Sequence, residues 1–410
     1  MPLTSDAARA IAASFTLANL PPDFYRDPFS YYHALREHEP VKLMPDGSYF
    51  LTRYDDLIAV YKDAKLYSSD KKAEFKPKFG DSLLYEHHTT SLVFNDPPLH
   101  TRVRRIIAGA LTPRAIAEMR EGLVETVEAL LDAMAAKEGV DLIADFAAAI
   151  PIEIIGNLLG VPHERREPLR DWSLAVLGAL EPVVTPTAFA RGNAALREFL
   201  AYLEVLIADR RTRPGNSDRD VLTRLIEGEE NGEGLSAKEL LHNCIFLLNA
   251  GHETTTNLIG NGLVALWQNP SEKAKLLAEP ALIKTAVEEM LRFESSNQLG
   301  NRSTTEAVEV GGVQMAAGTR ITLCIGAANR DPAQFPEPDR MDIGRSPNRH
   351  LAFGSGPHQC AGATLARLEA TIAVSRFLAR FPNYQLSGEP VRGNRARFRG
   401  FVHVPCVLDR

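Results

Sequence analysis

The sequence predicts a mainly α protein with small antiparallel sheets (α+β), and three observations lead there. Apolar residues recur at spacings of three and four through the middle of the chain. Strand-type runs broken by glycine turns cluster near its two ends. No repeat, low-complexity tract or linker interrupts the 410 residues, so 1–410 reads as a single domain with a long central helix. With 45% apolar residues the core can be large, and disorder is excluded by that fraction and a net charge of only -6. Four scattered cysteines form neither a disulfide framework nor an iron–sulfur pattern, which fits a reducing compartment. The apolar run Ile11 to Leu20 is too short to span a bilayer, and only Arg9 precedes it as a basic residue. The expectation is a cytoplasmic protein with no membrane and no nucleic-acid partner.

Each element has its own signal. Val41 to Thr52 reads as a hairpin turning at Asp46-Gly47. Thr112-Pro113 caps and opens a helix whose buried stripe is Ile116, Met119, Leu123, Val127, Leu130 and Met134. Pro214–Ser217 and Glu227–Gly234 read as surface loops. Ser236-Ala-Lys-Glu239 is a capping box that starts a helix running to Asn269, stopped by Pro270. Gly251, Gly260 and Gly262 inside it imply either a close approach or a break. A second strand pair surrounds Gly311-Gly312 and Gly318, with Val308, Val310, Ile321 and Leu323 as strand residues. Ala363 to Arg380 is helical, and Tyr384 to Leu408 supplies further short strands.

Four clusters carry chemistry. Phe353-Gly-Ser-Gly356-Pro-His358-Gln-Cys360-Ala-Gly362 places a cysteine where a helix starts, and helix N–H groups stabilise a thiolate. Such a thiolate is a nucleophile or a metal ligand; an inert buried cysteine in a glycine turn explains the same letters. Glu289 and Arg292 are helix neighbours, ordinarily a solvated pair. Ala250-Gly251-His252-Glu253-Thr254 sets an acid and an alcohol in mid-helix, where back-bonded threonines in a bent helix are the plain alternative. His100-Thr-Arg102-Val-Arg104-Arg105 is a cationic helix start or simply a solvated face.

Together these clusters resemble the cytochromes P450 of the soluble bacterial kind, over essentially the full length. Phe353, Gly354, Gly356, His358, Cys360 and Gly362 match the family's haem-binding signature. Glu289/Arg292 match its E-x-x-R motif, and Ala250-Gly251-x-Glu253-Thr254 its oxygen-binding helix motif. The resemblance implies the family's single triangular domain and haem b (iron-protoporphyrin IX), with Cys360 as axial iron ligand. It implies Phe353 beside the sulfur, and Gly354 and Gly362 where backbone approaches the macrocycle. His100, Arg104, Arg302 and His358 would pair with the haem propionates, and Arg340 would complete a structural triad with Glu289 and Arg292. Gly251 would leave room for iron-bound oxygen, Thr254 would hydrogen-bond it, and Glu253 would relay protons.

The implied activity is that of a monooxygenase inserting one atom of dioxygen into a small organic substrate by hydroxylation, dealkylation or epoxidation. A haem-binding sensor or carrier, and a peroxide-dependent haem-thiolate enzyme, are the alternatives. The chain has no flavin module or iron–sulfur spacing, so a ferredoxin with its reductase, using NAD(P)H indirectly, is implied. Arg102, Arg105, Arg114, Arg345 and Arg367 are candidate docking cations. By resemblance the pocket draws on Leu92, Val93, Phe94, Leu247, Leu248 and Ala250, with Asn297 and Leu299 from the segment Ser295–Asn301. That polar segment suggests a substrate with a polar handle, though a solvated strand end explains the same letters; Lys71, Lys72, Lys76 and Lys78 suggest instead a carboxylate at the entrance, with a charged mobile loop as the plain alternative.

Overall fold

Two adjacent residues, Phe50 and Leu51, point to opposite faces of a five-stranded sheet and so begin two separate cores. The computed structural model describes residues 4–216, 220–230 and 235–408. The chain groups into two units. Unit 1 comprises Met1–Ser69, Gly260–Cys360 and Pro390–His403; unit 2 comprises Asp70–Ile259, Ala361–Glu389 and Val404–Arg410. Both are discontinuous, so no linker in the sequence marks a boundary.

In unit 1 the sheet runs Val41–Leu43, Tyr49–Leu51, Arg320–Cys324, Leu299–Thr304, Tyr67–Ser68. The first two strands form the expected hairpin, with Gly47 at φ 76° and Asp46 Oδ1 accepting from Ser48 N–H. Tyr49–Leu51 lies parallel to Arg320–Cys324, setting Leu51 opposite Leu323; Leu299 stands opposite Cys324 across the antiparallel neighbour. One face packs Leu51, Ile321 and Leu323 against Leu57, Val60 and Tyr61 of the helix Tyr54–Lys62. The other packs Phe50, Leu299 and Cys324 against Phe15, Phe24 and Tyr32, near the helices Ser5–Ser14 and Phe29–His38. A second hairpin, Val308–Val310 with Val313–Met315, turns on Gly311 (φ 56°) and Gly312 (φ 82°), the left-handed pair such a tight turn requires.

Unit 2 is helical. Thr112 Oγ1 accepts from Ala115 N–H, as its capping role predicts. The helix it opens ends at Glu118, however, and a second runs Arg120–Ala135. At Met119 the N–H bonds back three residues to Ile116, a tightened turn that shifts the stripe, so Leu131 is buried and Leu130 only half-buried. The long helix is continuous over Ala237–Gln268, started by the reciprocal Ser236/Glu239 box at 2.7 and 3.2 Å. Its glycines do not break it; at Gly262, in unit 1, a Cβ would collide with Met290 Sδ. Of the two expected loops, Pro214–Asn216 is non-helical, whereas Glu227–Glu230 closes the helix Val221–Glu230; 217 and 231–234 lie outside the described residues. Helix Ala363–Arg380 has the expected bounds. The tail supplies Gln385–Leu386 and Pro405–Val407; the latter pairs with both the former and Val140–Asp141 in a three-stranded sheet of unit 2. Among the described residues no helix is long and apolar enough to cross a membrane.

Candidate functional site

The segment Leu351–Cys360 in unit 1 is a chain of backbone-bonded turns. Gly354 N–H donates to Leu351 O (2.8 Å), Gln359 N–H to Gly356 O (3.0 Å) and Cys360 N–H to Phe353 O (2.9 Å). Gly354 (φ 65°) and Gly356 (φ 69°) are left-handed, and a Cβ at Gly356 would collide with the Tyr61 carbonyl oxygen. The turn therefore presses directly onto neighbouring backbone, and it holds Cys360 at the surface. Cys360 is exposed, whereas Cys244, Cys324 and Cys406 are buried, and burial pushes the Cys244 and Cys324 thiols up to about 12. Among the four, only Cys360 is placed to act as a ligand.

Glu289 and Arg292 are not a solvated pair. Both side chains are fully buried, and the guanidinium grips the carboxylate with two 2.8 Å bonds. Arg292 Nη1 also donates to the carbonyls of Asn329 (2.9 Å) and Pro338 (2.8 Å), tying the helix Ile283–Phe293 to the following loop. The third member is Arg345, not Arg340. Arg345 Nε lies 3.3 and 3.2 Å from the two Glu289 oxygens, with Asn348 Nδ2 at 3.0 Å. Arg340 remains 54% exposed and pairs with Glu337 at 3.0 Å, a carboxylate three residues away that it reaches without leaving water. It joins the network only through its carbonyl, which accepts from Arg292 Nη2 (3.3 Å). Two arginines in one loop look alike in sequence, and spacing does not choose between them. Arg345 is also thereby removed from the candidate docking cations.

The other cations divide by unit. In unit 1 Arg302 is buried, with its guanidinium 5.2 Å over the Tyr61 ring, and His358 is half-buried. In unit 2 the helix Leu99–Ala110 carries buried His100 and half-buried Arg104. Arg102 is paired with Glu239 (2.5 Å) and exposed Arg114 with Glu118 (3.2 Å), while Arg105 is exposed and Arg367 half-buried.

On the long helix Thr254 Oγ1 donates to Ala250 O (2.9 Å) and Thr256 Oγ1 to His252 O (3.0 Å). This is the back-bonding that mid-helix threonines adopt. Glu253 is buried. His252 is buried too, and burial followed by the Arg170 charge pushes it down to about 3, so it is neutral. The space at Gly251 is taken by Ile155, which a Cβ would strike. Leu247, Ala250, Gly251 and Thr254 stand at i, i+3, i+4 and i+7, and all keep accessible surface. Val93 and Phe94 are likewise half-buried, while Leu92 and Leu248 are buried.

Two substrate expectations are corrected. Leu299 packs in the unit 1 core with Phe50 and Cys324, because its strand register turns it away from the opposite face. The polar letters beside it are internally bonded: Ser295 Oγ to Leu291 O (2.9 Å), Gln298 Nε2 to Ser295 O (2.6 Å), Asn301 Nδ2 to Thr322 Oγ1 (3.2 Å). Asn297 Oδ1 and Gln298 Oε1 are both buried with no hydrogen-bond partner among the described residues. The four lysines are also engaged: Lys71 with Glu74, Lys72 with Asp70 and Asn95, Lys76 with Asp81, Lys78 with the Glu181 carbonyl.

The donor set fits haem. An exposed thiol follows two left-handed glycines, arginine and histidine are the residue types that pair with carboxylates, and one helix carries an acid beside an alcohol. A family profile described as Cytochrome P450 matches residues 174–396. The biotin biosynthesis cytochrome P450 of Bacillus subtilis is 37% identical over 94% of this chain and 98% of its own. The 6-deoxyerythronolide B hydroxylase of Saccharopolyspora erythraea is 34% identical over 94% and 97%. The solved structure of epothilone D-bound cytochrome P450epoK superposes with a TM-score of 0.88 at 34% identity, over 97% of this chain and 99% of that one.

Proposed function

The chain belongs to the cytochrome P450 family, and on that premise we propose that it inserts one atom of dioxygen into an apolar organic substrate, with electrons from separate redox proteins. It is a cytochrome P450 monooxygenase, an oxidoreductase. Its family's haem b, when bound, supplies the iron at which dioxygen is reduced.

The chain's own residues have distinct tasks. Cys360 supplies the thiolate, and its N–H is committed to the Phe353 carbonyl, which holds the sulfur's backbone still. Phe353 lies beside that sulfur in the sequence motif, while Gly354 and Gly362 keep the backbone free of side chains. Arg302 and His358 in unit 1, and His100 and Arg104 in unit 2, would donate hydrogen bonds to the haem carboxylates. Glu289, Arg292 and Arg345 fix the loop that leads to the cysteine turn. Thr254 donates a hydrogen bond through its hydroxyl to Ala250 O, and Glu253 beside it is the acid proposed to relay protons. Gly251 provides room on this helix only when Ile155 turns aside.

The accessible stripe Leu247, Ala250, Gly251, Thr254, with Val93 and Phe94, supports a predominantly apolar substrate. The engaged lysines argue against carboxylate capture at the entrance. A ferredoxin with its reductase is the proposed electron source, with Arg105 and Arg114 as the exposed candidate cations.

The observation that carries this reading is the lone exposed cysteine on its glycine cradle. The test is the spectrum of dithionite-reduced protein with carbon monoxide. A strongly red-shifted thiolate-type Soret band is expected, lost in Cys360→His. Product formed with ferredoxin, reductase, NAD(P)H and dioxygen is expected as well. Product formed only with added peroxide would replace the monooxygenase reading.

A further inference from the structure

Three histidines that the oxidation chemistry leaves unused lie together in unit 2, where the helix Leu83–Thr90 meets the amino-terminal turns of the long helix. His87, His88 and His242 are all buried. His87 Nδ1 lies 3.4 Å from His242 Nδ1, and His242 Nε2 lies 3.0 Å from Glu86 Oε1. Lys238 Nζ closes the group at 2.6 Å from the second Glu86 oxygen.

The partners determine the protons. A carboxylate only accepts, so His242 carries its hydrogen on Nε2. In a neutral ring its Nδ1 is then a bare acceptor, and His87 must donate from Nδ1. One proton therefore bridges the two rings when both are neutral, the state their burial favours. Burial, then the neighbouring His88 and His242, hold His87 well below the ordinary histidine range. Burial also lowers His242, with Glu86 opposing and Lys238 assisting. A second proton between the rings would set N–H against N–H, and a charge on either ring would be buried.

The same seam positions a segment already assigned to the substrate lining. Asn243, next to His242, accepts the Leu92 N–H through Oδ1 (2.9 Å), and His88 packs edge-on against Phe94 with ring centres 5.8 Å apart. A cleft of about 430 Å³ lined by Thr89, Thr90, Asn95, Ser236 and Lys238 opens beside the junction. The surrounding charges are otherwise occupied. Arg102 is paired with Glu239, Lys76 with Asp81, and the helix Pro186–Thr212 presents the uncharged Asn193, whose Oδ1 accepts from Leu84 N–H.

We propose that His87 and His242 form a proton-operated latch: proton uptake releases the Leu83–Thr90 helix, and with it Leu92–Phe94, from the start of the long helix. The sign follows from linkage. The closed arrangement holds both rings neutral, and the released one lets water solvate them, so release takes up protons. Closure is complete above the ordinary histidine range and weakens as pH falls through it, by up to about tenfold per pH unit for each proton taken up.

Hydrogen exchange on the haem-loaded full chain tests this, from about pH 8 down to about pH 5. Rates are divided by intrinsic rates to give opening constants. The opening constant of residues 83–94 should rise at least about tenfold across that range, while helix Arg120–Ala135 stays level. In the double variant His87→Gln/His242→Gln the rise should vanish. In Glu86→Gln, which removes the carboxylate that favours a charged His242 in the closed arrangement, the rise should begin at the same pH and continue to lower pH. A wild-type profile parallel to the reference helix overturns the latch, as does a rise that survives in the double variant. Should that variant not fold, ring-nitrogen NMR of the wild type decides. Titration of both rings only together with loss of protection supports the latch, and independent titration at the ordinary histidine value overturns it.

Discussion

Arg345 donates through Nε toward both oxygens of the Glu289 carboxylate, at 3.3 and 3.2 Å, while Glu289 is wholly buried and Arg345 nearly so. Arg292 holds the same carboxylate from the other side. One buried anion thus faces two buried cations, and neither contact is replaceable by water.

Removing one partner of such a buried group leaves charge uncompensated, which costs about 3–5 kcal/mol. Arg345→Ala should therefore lower denaturant stability by that amount and reduce haem retention. Arg340→Ala, exposed and paired with exposed Glu337, should change stability by less than about 1 kcal/mol. Equal losses for the two variants in urea unfolding would contradict the assignment of the triad.

Gly356→Ala should cost more than a helical glycine substitution ever does. Its Cβ meets a backbone carbonyl, which cannot rotate away as a side chain can, at a φ of 69°. A loss of about 2 kcal/mol or more is expected, with less thiolate-type CO spectrum per mole of protein. Gly262→Ala is the contrast, because Met290 Sδ is the collision partner and can swing aside; unaltered haem content is expected there.

Thr254→Ala removes a hydroxyl that donates to Ala250 O and leaves the long helix otherwise intact. Substrate-induced spectral binding should persist, with reducing equivalents diverted to hydrogen peroxide; Thr254→Ser should restore most of the coupling. Unchanged product per NAD(P)H in the alanine variant would remove Thr254 from proton delivery.

Two carboxyls should tilt the pH dependence of stability in opposite directions. Burial opposes ionisation of Glu294, but Arg399, Arg392 and Arg330 override it and bring the carboxyl to about 2. Its contribution is full above the unfolded value near 4.5 and is lost as pH falls toward 2, on the order of 3 kcal/mol in all. Glu369 is buried with Oε2 lacking a hydrogen-bond partner among the described residues, and burial raises it to about 8. The native state keeps that proton, so stability declines as pH rises from about 4.5 to about 8. Glu369→Gln should raise the melting temperature at pH 8 and leave it nearly unchanged at pH 4. A uniform shift across pH would count against a protonated Glu369.

What was legible in the sequence was local. The Gly47 and Gly311-Gly312 turns and the Ser236/Glu239 cap carry their geometry in a few adjacent letters, and each appears where those letters place it. The break at Met119 left no such mark, because a single tightened hydrogen bond produces it. The choice of Arg345 over Arg340 was hidden for another reason: the deciding partner, Glu289, lies more than fifty residues away. Leu299 reads as a pocket residue from its neighbours in sequence, yet strand register alone turns it into the core. Residues whose roles depend on side-chain reach across the fold were the ones the linear pattern could not place.

The strand Pro405–Val407 sits between Val140–Asp141 and Gln385–Leu386. During synthesis, Val140–Asp141 emerges from the ribosome long before the strand it pairs with. The nascent chain must carry that edge uncovered, with helices already formed around it, until residues 405–407 clear the exit tunnel. Chaperones that shield unpaired edges would therefore act on this protein late in translation, and premature termination before Pro405 would leave Val140–Asp141 and Gln385–Leu386 without the central strand that joins them.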